Sequence, residues 1–196
     1  MQKQRTRKNR DYPNKLNEEK KMYGNISDSE QSDTEDGSSS EVTMSKPLIK
    51  EIADTLSSII SKNKKSKNYK NEIAPFVHEH APKISLFDYL FRIQKYSEIE
   101  NSTIIISLIY LDRICSKKGI NLTKYNIHRI LFSSILVAIK YNEDIIYDTK
   151  FYSKIAGVSV NELKILEYSF LKIIDFQLFV SDELYKKYHD YLFNDD

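Results

Sequence analysis

Cysteine is almost missing from this chain: Cys115 is the single one among 196 residues. One thiol cannot close an intramolecular disulfide, argues against a cysteine-based zinc site, and suits a reducing compartment. Glycine and proline are also scarce, four of each, and two of the glycines (Gly24 and Gly37) sit in the polar N-terminal region. The remainder, with only Gly119 and Gly157, is short of tight hairpin turns, which favours helices joined by short loops. No apolar run approaches the roughly 18 residues of a membrane span. The richest stretch, Ile104 to Leu111, is interrupted by Ser107 and followed by Asp112 and Arg113. The opening Met1-Gln2-Lys3-Gln4-Arg5 has no apolar core of a secretory signal. An intracellular location, nucleus and/or cytoplasm, is therefore expected, with no membrane partner.

A dominant charge is lacking too. Thirty basic residues against 28 acidic ones leave a formal charge of +2, which argues against a surface built wholly for nucleic acid. No glycine-rich phosphate loop, His-Glu-x-x-His, nucleophile elbow or cysteine pair is present. Carboxylate pairs such as Glu143-Asp144 end a helix and read as solvated. No catalytic residue, metal site or cofactor is assigned, and an enzyme is not expected. His78 and His80 lie only two apart, so on a helix they point to different faces; exposed loop residues are the expected reading.

What the chain does contain is enough for one domain and a tail: 40% hydrophobic and 12% aromatic residues. Residues 1–45 read as a disordered polar tail, with too little apolar surface to offset the entropy of ordering. They open on a basic cluster (Lys3, Arg5, Arg7, Lys8, Arg10), which is either a solvated tail or a nuclear-import or nucleic-acid patch. Farther on, Ser27, Ser32 and Ser38 each have a glutamate three residues later, a spacing that acidophilic kinases accept. Residues 46–81 read as an N-terminal helix and a basic linker. Leu48, Ile52, Leu56, Ile59 and Ile60 fall on one helical face, and Lys62 to Lys70 form the linker.

From 82 to 196 the pattern predicts a run of helices. Ser85 caps the first, with Asp88 three residues on and Leu86, Tyr89, Leu90 and Ile93 along one face. A second spans about Ser102 to Lys117 and closes at Gly119. Thr123 or Asn121 opens a third, carrying Ile127, Ile130, Leu131, Ile135, Ala138 and Ile139. Its small residues Ser133, Ser134 and Ala138 fit a central helix with neighbours close around it. A short helix, about Thr149 to Ala156, ends at Gly157. Ser159 and Glu162 then form a full capping box for the fifth, whose stripe is Leu163, Leu166, Phe170, Ile173 and Ile174. Ser181 caps a last helix bearing Leu184, Tyr188, Tyr191 and Leu192. The fold class is all-α, a five-helix orthogonal bundle with one flanking helix on each side.

Five strings in this order resemble the cyclin box over roughly residues 80–193. They are Asp88-Tyr89-Leu90-Phe91-Arg92-Ile93, Tyr110-Leu111-Asp112-Arg113, Asn126-Ile127-His128-Arg129, Ala138-Ile139-Lys140-Tyr141-Asn142-Glu143-Asp144, and the run from Glu162 to Leu171. The turn Ala156-Gly157-Val158 and the spacing of Glu162-Leu163 to Leu166-Glu167 are most similar to P-type cyclins of fungi, with relatives in protists and plants. The resemblance implies a single cyclin box that binds a cyclin-dependent protein kinase on its N-lobe and C-helix, with no small-molecule ligand. It places Lys140 and Glu167 where cyclins grip backbone groups beside that C-helix; taken alone, each is an ordinary surface charge. Phe151, Tyr152 and Ile155 either add apolar contact with the kinase or pack in the core. Asp112, paired with Lys83, and Arg113 are expected to be structural, and His128 a packed or capping histidine. Pro82-Lys83-Ile84-Ser85-Leu86 departs from the substrate-docking start of mitotic cyclins, so that docking mode is not expected. The twenty or so residues after the fifth helix are too few for a second box. The alternative is a nucleic-acid-binding or transcription-related module on a cyclin-like fold, its phosphate contacts coming from the basic tail and Lys62 to Lys70.

Overall fold

In a computed structural model, residues 46–64 and 73–193 are described, and they form seven α-helices. In chain order these are α1 (Lys46–Lys64), α2 (Leu86–Ser97), α3 (Asn101–Lys118), α4 (Ile127–Asn142), α5 (Thr149–Ala156), α6 (Val160–Ile173) and α7 (Asp182–Phe193). The polar tail, and most of the lysine linker, lie outside the described residues.

The centre of the architecture is α4. From Ile127 to Ile139 every residue but Arg129 is buried, so this helix is enclosed all round rather than amphipathic. It packs most extensively on α3, then on α6, and also touches α5. Close approach to α3 needs small side chains, and Ser107, Ser133, Ser134 and Ala138 are all fully buried. Their hydroxyls are satisfied within the seam: Ser134 donates to the Ser107 carbonyl, Ser107 to the Ile104 carbonyl at 2.7 Å, and Ser133 to the Arg129 carbonyl at 2.7 Å. Buried hydroxyls cost little once so paired. Outside this nucleus α1 packs on α2, α2 on α5, α5 on α6, and α7 on α3.

The helix ends are set by local chemistry. The Oγ of Ser85 accepts from the Asp88 N–H at 3.0 Å, and Asp148 accepts from the Phe151 N–H at 2.7 Å. Gly119 (φ +59°) and Gly157 (φ +74°) close α3 and α5 in the left-handed conformation that glycine adopts without strain.

Three expectations are corrected. Thr123 and Asn121 do not open α4; the residues from Thr123 to Asn126 form a turn instead. Asn126 spends its side chain on that turn, accepting from the Thr123 N–H at 2.8 Å and donating to the Asn121 carbonyl at 3.0 Å. Only half of the Ser159–Glu162 capping box forms. Ser159 accepts from the Glu162 N–H at 3.1 Å, but the Glu162 carboxylate pairs with Arg129. On α1 the buried face is Leu48, Ile49, Ile52, Ala53 and Leu56, with Ile59 exposed.

The stretch before α2, for which the sequence offers no pattern, is anchored by Phe76. This ring is fully buried, edge-on to Phe170 with centroids 6.5 Å apart. Arg129 holds the backbone on both sides of it, donating to the carbonyls of Pro75 (3.1 Å) and Val77 (2.6 Å).

Two substitutions on α6 should separate burial from helix membership. Phe170→Ala empties a fully buried site and should lower the unfolding free energy by about 3–5 kcal/mol, whereas exposed Ile165→Ala should stay within about 0.5 kcal/mol of wild type. Urea unfolding followed by circular dichroism reads both.

Candidate functional site

Because α4 is enclosed along its length, it can carry charge only near its ends, and the two candidate polar sites form there. Lys140 occupies the last turn of α4, where a cation complements the helix dipole. Across the α4–α6 seam its Nζ donates to both carboxylate oxygens of Glu167, at 2.6 and 2.7 Å. The side chains are 31% and 18% exposed, so the pair is neither free in water nor sealed from it. A pair of this kind contributes on the order of 1 kcal/mol to stability. It leaves one ammonium hydrogen and several carboxylate lone pairs for a partner's backbone carbonyl and N–H.

The neighbours of this pair are apolar and exposed. Tyr141 follows Lys140 and is 55% exposed; Tyr168 follows Glu167 and is 58% exposed. Ile145 and Ile146 in the loop after α4, and Ile165 one helical step before Tyr168, are exposed as well. Lys172 lies 5.4 Å from the centre of the Tyr168 ring. Surface apolar residues taken singly are ordinary; here two of them adjoin the members of the polar pair in the chain.

The other named residues divide. Phe151 is half-buried and packs on Tyr147 (centroids 4.3 Å apart) and Tyr152 (5.6 Å). Tyr152 and Ile155 are buried in the core, which corrects the option that they offer apolar surface to a partner. The Tyr152 hydroxyl accepts from the Tyr147 N–H at 3.4 Å, and burial pushes it up to about 12. Asp112 accepts from the Tyr188 hydroxyl of α7 in place of the expected pairing with Lys83. Arg113 fastens the segment leading into α7, donating to the carbonyls of Gln177 (2.6 Å) and Phe179 (2.8 Å). Burial drives the Cys115 thiol up to about 12, far from a reactive thiolate.

The opposite end of α4 holds a second cluster that pattern reading missed. Arg92, His128 and Arg129 line a cavity of about 220 Å³ with His78, Pro82, Leu166 and the turn at Gly157. His128 is buried, edge-on to Tyr89, and its Nε2 meets the Ile84 carbonyl at 3.2 Å. Desolvation, with Arg92 and His78 nearby, holds its imidazole below the ordinary histidine range; desolvation and Arg129 do the same to His78. One signal was available: Arg129 is a cation in an otherwise apolar helix stripe, and such a residue needs a partner.

The cyclin family model matches residues 16–178. The chain belongs to the cyclin family. Its relatives are plant cyclins of the U and P types and yeast PHO85 cyclins. Cyclin-U4-2 of Arabidopsis thaliana is 38% identical over 108 residues, 55% of this chain and 50% of that protein. PHO85 cyclin-7 of Saccharomyces cerevisiae is 35% identical over 133 residues, 62% and 47% of the two chains. The PHO85 cyclin-like protein psl1 of Schizosaccharomyces pombe is 38% identical over 125 residues, 63% and 51%. This cyclin thus spans about half the length of the curated relatives it matches. The all-α architecture is that of the cyclin fold, and the nucleic-acid alternative is not favoured by these matches.

Buried His128 and half-buried His78 give the cyclin a pH signature. Their folded pKa values lie below the unfolded value of about 6.5, so the unfolded chain binds more protons as pH falls. Their contribution is complete above pH 6.5 and is lost as pH drops through the folded pKa values. Stability should therefore decline between pH 7 and 5. His128→Gln should flatten that slope relative to wild type, as measured by urea midpoints across the range.

Proposed function

We propose that this cyclin is a regulatory subunit that binds a cyclin-dependent protein kinase and activates it by holding the kinase C-helix inward. The observation that carries the reading is the Lys140–Glu167 pair, coupled bidentately across α4 and α6, with exposed Tyr141 and Tyr168 next to its two members along the chain. A carboxylate accepts from N–H groups and an ammonium donates to carbonyls, so the pair can engage peptide backbone without reading side chains. Having each other as partners in the free chain holds both side chains in place and lowers the entropy lost on docking. Tyr141, Ile145, Ile165 and Tyr168 supply the apolar area that specific association requires, and aromatic residues near the centre of such a surface carry much of its energy. Of Phe151, Tyr152 and Ile155, Phe151 is the one with surface to contribute.

The mechanism is a population shift. Preferential binding to the C-helix-in state of the kinase N-lobe favours that state by the difference in affinity. No reacting atom is supplied by the cyclin, which acts through protein contacts without a cofactor. One relative is named PHO85 cyclin-7 and another PHO85 cyclin-like protein, which supports a kinase of that general class as the partner. Nuclear and cytoplasmic locations both fit this role.

Mixing the purified chain with a panel of monomeric cyclin-dependent kinases tests the proposal. Wild type should bind and activate one of them, measured by peptide phosphorylation. The Lys140→Ala/Glu167→Ala double variant should fold, since the pair adds only about 1 kcal/mol, yet bind at least about 30-fold more weakly. A double variant that activates as well as wild type would remove the pair from the interface.

A further inference from the structure

Glu143, read from the sequence as a solvated carboxylate at the end of a helix, is half-buried and engaged inside the fold. It is the first residue beyond α4, extended in backbone, and its N–H donates to the Ile139 carbonyl at 2.9 Å. Its side chain crosses to the start of α3. There Oε1 accepts from the Glu100 N–H at 3.2 Å and from the Thr103 hydroxyl at 2.6 Å. Thr103 is fully buried, so its hydroxyl depends on a protein partner.

These two contacts fall on the positions that a capping box uses. Glu100 is the N-cap of α3 and makes no side-chain cap of its own. Thr103 stands three residues on, where a capping box places the carboxylate that returns to the N-cap N–H. Threonine has no carboxylate to return. Glu143 supplies it from the end of another helix, and its negative charge meets the positive end of the α3 dipole. The loop that Glu143 opens is held at its far end as well. The Tyr147 N–H donates to the Tyr152 hydroxyl at 3.4 Å, and Asp148 caps α5.

We propose that Glu143 is a positioning residue for the kinase-binding surface: by capping α3 it fixes the last turn of α4, and with it Lys140. The inference rests on the function proposed above and adds to it a residue that acts through Lys140. The last carbonyls of a helix lack partners within it, and a helix end without outside support frays. Lys140 lies in that last turn, three residues before Glu143. Its ammonium can meet Glu167 and a kinase carbonyl together only while the turn is formed. Order already present in the free chain is not lost again on docking. The role asks Glu143 to accept two hydrogen bonds and does not ask for its charge. A glutamine oxygen accepts both, whereas alanine accepts neither.

Calorimetric titration of the kinase that wild type activates, at a temperature where every variant is folded, tests the proposal. Glu143→Ala should bind about tenfold more weakly than wild type, and Glu143→Gln should stay within about twofold. In a Lys140→Ala background, Glu143→Ala should weaken binding by no more than about a further twofold, because the residue through which it acts is gone. Equal losses in both backgrounds would leave Glu143 a purely structural role. Glutamine as poor as alanine would make the charge itself a kinase contact. Either result overturns the proposal, as does wild-type affinity in Glu143→Ala. Amide exchange on the free chain gives a readout without kinase. Glu143→Ala should speed exchange about tenfold in peptides covering 100–106 and 140–147 and leave α7 unchanged; unaltered exchange at 140–147 would overturn the proposal. A wild type that binds no kinase would fail the proposed function itself, and the exchange result would still decide whether Glu143 fixes the end of α4.

Discussion

The burial of α4 is the constraint on which the rest of this molecule depends. A helix surrounded by α3, α5 and α6 must be apolar or small along its whole length, and Ile127 to Ile139 meets that demand with serines wherever the neighbouring backbone comes close. One consequence reaches beyond stability. Charged groups are driven to the two ends, where they can find partners or water. Lys140 leaves the C-terminal end and meets Glu167 of α6; Arg129, one turn inside the N-terminal end, meets Glu162 of the same helix. Thus α6 is tied to α4 by two ion pairs, five residues apart along α6, one facing an exposed surface and the other a cavity.

That arrangement explains how much could be read in advance. Helix existence, order and most ends follow from local rules: Ser85, Asp148 and Ser159 cap, Gly119 and Gly157 terminate, and the enclosure of α4 is written in its Ile, Ser and Ala content. The pairing of Lys140 with Glu167 is not local; their roles came from resemblance, and their contact from the packing of α4 on α6. Where local reading failed, a long-range partner had outcompeted a near one. Glu162 forsakes the capping box for the Arg129 guanidinium, because a half-buried cation needs a carboxylate more than the Ser159 N–H does. Asn126, by contrast, stands at the start of α4 with its side chain held by near partners, Thr123 and Asn121, in the preceding turn. Tyr152 and Ile155 sit on a short helix that packs on α2, α4 and α6, and eight residues of sequence do not say which face is turned inward.

The stretch from Ile73 to Ser85 shows the same thing from the other side. It has no periodicity, yet Phe76 enters the core and Arg129 grips the chain beside it. Its conformation depends on one aromatic ring and one guanidinium that only the folded chain brings together, so no local pattern announces it.

On the proposed function, the decisive question is where on the surface a kinase lands. Amide hydrogen exchange on the full chain, free and with saturating kinase, answers it directly. The account predicts slowed exchange in the peptides spanning the end of α4 with the following loop (140–147) and α6 (162–172), with α7 unchanged. Slowed exchange confined to α7 or α1, with 140–147 and 162–172 unaltered, would contradict it.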